Sequence, residues 1–169
     1  MTMTTEIDAA ARRVLAACDA RKLTVATAES CTGGLVAGAL TEIAGSSSVV
    51  MCGFVTYANE AKHRMLGVHD ETLDHHGAVS AETAKEMALG ALARANVSLS
   101  VAITGVAGPG GGSTEKPVGL VWFAAASADG RVDLVEKRFG EIGRAQVRQA
   151  SVLQALAMLE KLADVPLAG

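Results

Sequence analysis

Residues 26–35 read ATAESCTGGL. An apolar, β-prone run stops at Glu29, Ser30, Cys31 and Thr32 and then meets Gly33 and Gly34. Two readings fit a hydroxyl in that place. Serine and threonine are favoured at helix N-caps, where the side-chain oxygen satisfies a free N–H. A serine between a strand and a helix can also be a nucleophile, with backbone N–H groups close to a developing oxyanion. The local sequence supports the two readings equally.

A serine nucleophile needs a base. The histidines His63, His69, His75 and His76 all lie in polar surroundings. His75-His76 has the look of a loop pair, and a metal site would need a third ligand at defined geometry that no histidine cluster offers. The other available base is a neutral lysine. Lys62 follows a strand that ends in Tyr57, the one tyrosine of the chain. Partial burial would lower its pKa; the alternative is a solvated helix lysine. G-x-S-x-G is absent, so the strand–turn–helix elbow that carries that motif is not the arrangement here.

A second chemistry-bearing stretch is TGVAGPGGGSTEKPVG, residues 104–119. Gly105, Gly108, Gly110, Gly111 and Gly112 permit tight turns and close approach of backbone to a ligand. Successive N–H groups in such a loop form an anion-binding nest. The stretch is not a Walker loop, since Lys116 is followed by Pro117 and the spacing differs. Nor does it match the dinucleotide fingerprint. A flexible surface loop is the plain alternative. Its position at the end of a buried strand favours ligand binding, because α/β sheets place ligands at strand carboxyl ends.

The elements that must position these residues follow from periodicity and capping. Thr5, with Asp8 three residues on, predicts a capped helix over about 5–20. LTVATA, 23–28, is a strand, and GGLVAGALTEI is a helix closed by Gly45. SSVVMCGFVTY, 47–57, is expected as a buried strand. Asn59 caps a short helix through Lys62 to Leu66, stopped at Gly67. Ser80 caps a helix over 81–95. Strands follow at 98–104 and 118–127, and Asp129-Gly130 turns the chain into a third over 131–139. A last helix, about 144–162, is expected to turn Val147, Ala150, Leu153, Ala157 and Met158 inward. Strands alternating with helices, then a hairpin and helix, predict a three-layer α/β/α domain with a mixed, mostly parallel sheet.

Composition limits the classes of partner. The 169 residues fit a single domain over 1–169, and half of them are apolar, enough for a core built from aliphatic side chains. With 15 Lys+Arg against 18 Asp+Glu and no basic cluster, a nucleic-acid surface is excluded. No stretch reaches 18 apolar residues, so no membrane span is expected. Cys18, Cys31 and Cys52 form no C-x-x-C motif, and the start of the chain lacks a signal-peptide pattern. Reduced thiols in the cytoplasm are the expectation.

Four stretches together carry a resemblance: ATAESCTGGL, GFVTYANEAKHRMLGV, HGAVSAETAKEMA and AITGVAGPGGGSTEKPVGLVWFA. They resemble the CinA C-terminal domain family, over roughly Ile7 to Leu162 and in the family order. The resemblance implies a nicotinamide-nucleotide amidase that converts nicotinamide mononucleotide to nicotinate mononucleotide and ammonia. It places the nucleophile on Ser30, the lysine of the family's YxNxxK on Lys62, its tyrosine on Tyr57, and the threonine of TGxAGPGGG on Thr104. It implies no metal and no organic cofactor, and a homodimer or higher homo-oligomer. One stretch departs: where the family reads F-x-G-D-R-x-x-V-R, this chain has FGEIGRAQVR, with a residue added and the aspartate missing. Arg144 and Arg148 keep the spacing of the family's two arginines and are candidates for phosphate binding or for fixing a dimer.

On that reading Ser30 forms an acyl-enzyme and Lys62 carries its proton, directly or through Tyr57. The N–H groups that follow Ser30, on Cys31, Thr32 and Gly33, with that of Gly105, are candidate oxyanion donors. The Gly108–Gly112 backbone is the first choice for the phosphate and Arg148 the second. Glu29 would suit a pyridinium ring or pair with Lys62, and Cys31 is an alternative, thiol nucleophile. The rival readings are a non-catalytic pyridine-nucleotide-binding module, a structural subunit, and an amidase for a related pyridine carboxamide.

Overall fold

The structure is a computed structural model and describes residues 3–168. Helix α1 (Thr5–Ala20) leads into β1 (Val25–Glu29) and α2 (Leu35–Thr41). A 3-10 turn at Ser46–Ser48 precedes β2 (Val50–Val55), α3 (Asn59–Leu66), α4 (Asp70–His76) and α5 (Ala81–Ala95). The chain closes with β3 (Leu99–Gly105), β4 (Leu120–Ser127), β5 (Val132–Arg138) and α6 (Arg144–Asp164).

The five strands form one sheet in the order β2-β1-β3-β4-β5. β1 pairs parallel with β2 and β3, while β4 is antiparallel to both its neighbours. Four strands therefore run one way and only β4 runs against them, as a mixed, mostly parallel sheet requires. Alternation along each strand divides the core in two. Val25, Val101, Ile103, Val121 and Phe123 meet α1, α2 and α6 on one face. Ala26, Ala28, Ala102, Ala124 and Ala126 meet α3 and α5 on the other. The small side chains of the second face let α5 lie close to the sheet, and Ser100 Oγ donates to the Ala88 carbonyl of α5 at 2.7 Å.

Several local expectations shift. Thr4, not Thr5, caps α1, its hydroxyl accepting the Ile7 N–H. α2 ends at Thr41, before Gly45, which instead opens the 3-10 turn. α3 starts at Asn59 without a side-chain cap and stops at Gly67 as expected. Ser80 caps α5 as expected, accepting from Thr83 N. β2 is not a buried strand: it forms a sheet edge and alternates half-buried with exposed residues. A run of β-prone apolar residues fixes a strand but not its neighbours. His75 and His76 end a short helix, α4, rather than lying in a loop.

α6 turns a different stripe inward. Val147 and Met158 are buried with Val152, Ala155, Leu156, Leu159 and Leu162, whereas Ala150 and Leu153 are half-buried and Ala157 is exposed. Those last three line an open groove beside α1, with Phe139 and with Arg13, which pairs with Glu160.

One backbone contact ties the α3 end to α5. A Cβ on Gly90 would lie 1.9 Å from the Leu66 carbonyl oxygen. Alanine normally favours a helix interior over glycine by about 1 kcal/mol. Here Gly90→Ala should instead destabilise the fold by about 1–3 kcal/mol through overpacking, read as a lower urea midpoint at an unchanged slope.

Candidate active site

The carboxyl ends of β1 and β3, the turn after β2 and the loop after β3 meet at one rim of the sheet. α2 leaves β1 on one face and α3 leaves β2 on the other, which opens a crevice between them. A cavity of about 310 Å³ sits there, lined by Ser30, Tyr57, Lys62, Thr104, Gly105, the loop to Gly111 and Arg144. That volume lies at the lower end of the range for small-molecule sites. The wider groove between α1 and α6, about 560 Å³, contains no nucleophile paired with a base.

Strand alternation separates Glu29 from Ser30. The Glu29 side chain points toward α2 and is fully buried. Its carboxylate accepts the N–H groups of Gly34, Val36 and Ala37 at 3.1, 3.0 and 2.9 Å. It neither pairs with Lys62 nor faces the cavity, because the α2 N-terminus occupies both of its oxygens. Ser30 points the other way. The turn that follows depends on Gly33 and Gly34, whose φ angles of 60° and 97° disfavour residues with a Cβ.

Lys62 projects from α3 into this space and is only 1% exposed. Its Nζ lies 2.9 Å from Ser30 Oγ and donates to the Thr56 carbonyl at 2.8 Å. Among the described residues it has no carboxylate partner. Burial disfavours the ammonium and pulls the pKa down to about 8. A neutral amine at this distance is able to accept a hydroxyl proton.

Cys31 is buried, and its pKa is pushed up to about 11, chiefly by desolvation. A thiol held in that form is a poor nucleophile. Thr104 Oγ1 donates to the Ala78 carbonyl at 2.7 Å, which fixes the Ala78–Val79 wall of the cavity. Sequence reading misses Ala78 and Val79, since they contribute backbone and small apolar surface rather than reactive groups.

Tyr57 is 62% exposed, and its hydroxyl accepts from Arg144 Nη2 at 3.0 Å rather than meeting Lys62. Arg144 Nη1 donates to the Gly108 carbonyl at 2.9 Å, so this guanidinium spans the mouth between β2 and the glycine-rich loop. Arg148, one helical turn on, does not line the cavity. Its Nε donates to the Cys31 carbonyl at 3.2 Å and its Nη2 to the Thr32 carbonyl at 3.1 Å. Thr32, Gly33 and Gly112 do not line the cavity, and Gly112 lies on the outer side of the loop near Glu141.

Backbone donors complete the crevice. Among the described residues, the N–H groups of Ala107, Gly108, Gly110, Gly111 and Gly112 have no protein acceptor. The same is true of the Cys31 and Thr32 N–H groups, apart from the Cys31 thiol itself. Of these, the N–H groups of Cys31 beside the serine and of Ala107, Gly108, Gly110 and Gly111 along the loop belong to residues that line the cavity.

Fold and crevice together define an α/β/α domain with a buried serine–lysine pair at the carboxyl ends of its strands. Residues 7–163 match the family model of the CinA C-terminal domain, and the chain belongs to that family. It is 49% identical to the nicotinamide-nucleotide amidohydrolase PncC of Enterobacter agglomerans over 146 residues, covering 86% of this chain and 89% of the relative. It is 61% identical to the PncC of Escherichia coli K12 over 111 residues, covering 66% and 67%. Among solved structures, the competence/damage inducible protein CihA of Agrobacterium tumefaciens superposes with a TM-score of 0.94 at 56% identity, covering 96% of this chain and 99% of the other.

The Glu29 carboxylate should carry stability. Glu29→Ala leaves three N–H groups without their acceptor and should cost about 3 kcal/mol or more, measured by chemical denaturation. An unchanged midpoint would show that water replaces the carboxylate at no cost.

Proposed function

We propose that this enzyme hydrolyses the carboxamide of nicotinamide mononucleotide to nicotinate mononucleotide and ammonia. Its amidohydrolase relatives supply the reaction class. The observation that carries the mechanism is the 2.9 Å contact between Ser30 Oγ and a buried, carboxylate-free Lys62.

In this mechanism Ser30 Oγ attacks the amide carbon as its proton passes to neutral Lys62 Nζ. The oxyanion is met by the free N–H of Cys31, which borders the cavity. Lys62 returns the proton to the departing nitrogen, which leaves as ammonia. Water then attacks the ester, Lys62 takes its proton, and the serine hydroxyl is restored. Lys62 contacts Ser30 directly, so Tyr57 is not needed as a relay. Tyr57 and Arg144 border the mouth, where they would meet the substrate's ribose and phosphate. The unpaired N–H groups of Ala107, Gly108, Gly110 and Gly111 support the loop as the phosphate cradle. The hydrogen bonds of Arg148 to the Ser30 turn argue against its serving there.

Purified protein with nicotinamide mononucleotide should release ammonia and nicotinate mononucleotide one for one, and Ser30→Ala should abolish turnover while the protein still binds. Binding without ammonia release from a folded parent protein would move the reading to a pyridine-nucleotide-binding module.

The pH profile tests the base. Lys62 must be neutral to act, so kcat/KM should rise with pH through about 8 and level off above it. A rate that stays flat between about pH 6 and 10 would remove Lys62 from that role.

A further inference from the structure

Arg148 makes its two hydrogen bonds to the carbonyls of the two residues that follow Ser30. A trans peptide is planar, with its C=O and the next N–H on opposite sides. Holding the Cys31 carbonyl against α6 therefore turns the Thr32 N–H away from α6. Holding the Thr32 carbonyl does the same for Gly33 N–H, which donates to the Ser30 carbonyl at 3.0 Å. That bond in turn sets the Cys31 N–H on the side opposite the Ser30 carbonyl. Three successive peptide planes are thus fixed, and of the N–H groups they leave free, that of Cys31 belongs to a residue bordering the cavity.

The fixing group comes from far along the chain, 117 residues from Cys31. It stands on the same helical face as Arg144, four residues earlier. One turn of α6 therefore braces both walls of the crevice, Arg144 the glycine-rich loop and Tyr57, Arg148 the nucleophile turn. A planar guanidinium suits this task, because it presents two N–H donors in a fixed fork. If the Cys31–Thr32 peptide rotated by half a turn, a carbonyl would replace the Thr32 N–H, and Arg148 would lose an acceptor.

We propose that Arg148 is a positioning residue that holds the turn after Ser30 in the orientation that presents the Cys31 N–H to the cavity as an oxyanion donor. The proposal rests on the serine–lysine amidase reading and adds the group that keeps its oxyanion hole formed. It assigns Arg148 no contact with substrate phosphate.

The test compares Arg148→Met and Arg148→Lys with the parent protein in two assays. The first is turnover of nicotinamide mononucleotide and of its dephosphorylated nucleoside. The second is covalent labelling of Ser30 by a fluorophosphonate, which needs the nucleophile and the oxyanion donors but no amide substrate. Loss of one oxyanion donor typically lowers the rate about 100- to 1,000-fold. Arg148→Met should therefore lower kcat at least about tenfold, with KM little changed, by the same factor for nucleotide and nucleoside. It should slow labelling in parallel, and Arg148→Lys, which can hold one carbonyl, should recover part of both. Expressing each rate per folded site, from the unfolding curve, removes a simple loss of stability.

A raised KM confined to the nucleotide, with kcat and labelling intact, would overturn the proposal and make Arg148 a phosphate ligand. Unchanged rates in Arg148→Met would overturn it as well. A parent protein that labels at Ser30 but releases no ammonia would sink the choice of substrate and leave the labelling arm to decide on Arg148. A parent protein that fails to label would sink the activated serine and the proposal together.

Discussion

A lysine amine buried with no carboxylate beside it is the constraint on which the site depends. An ammonium in that position would need a counter-charge. The nearest acid in sequence to the nucleophile, Glu29, is committed instead to three N–H groups of α2. The amine is left with a hydroxyl and a carbonyl. Were Glu29 free to turn toward Lys62, the pair would be charged and the amine would no longer be free to accept a proton. Strand alternation keeps them apart: adjacent residues on β1 face opposite sides of the sheet, one toward α2 and one toward α3.

The rest of the fold holds this arrangement at its edges. β1 lies inside the sheet with parallel partners on both sides, so the position of Ser30 is fixed by two ladders. Lys62 is carried by α3, whose end packs against α5 through Gly90. The antiparallel β4–β5 hairpin contributes no cavity residue, but it returns the chain to α6, whose first turn reaches both walls of the crevice. The stretch FGEIG lies before that turn and leaves Arg144 and Arg148 on one face of the helix.

Much of this was legible in sequence. Ser80 as a cap, the Asp129-Gly130 hairpin and the β3 strand followed from local chemistry, and the motif order placed Ser30, Lys62 and Thr104 near one another. What escaped depended on neighbours. The apolar run of β2 does not say that it lies at an edge. α6 carries two apolar stripes, and only the packing of α1 and the sheet decides which one is buried. α4 buries none of its residues, so its pattern offered no period. The burial of Lys62 depends on where α3 packs, which its polar neighbours His63 and Arg64 disguise. The role of Glu29 had a usable signal: a strand residue next to an inward serine must face the other way.

The glycine-rich loop has a consequence for how such a site reveals itself. Its free donors belong to the main chain, and every residue but proline has one. Replacing side chains one at a time, as alanine scanning does, removes none of these hydrogen-bonding groups. A loop of this kind registers in such a scan only where an added carbon disturbs its path. What such a loop offers a ligand is a property of conformation rather than of any nameable side chain. Probing it calls for chemistry that alters the backbone itself, such as replacing an amide by an ester.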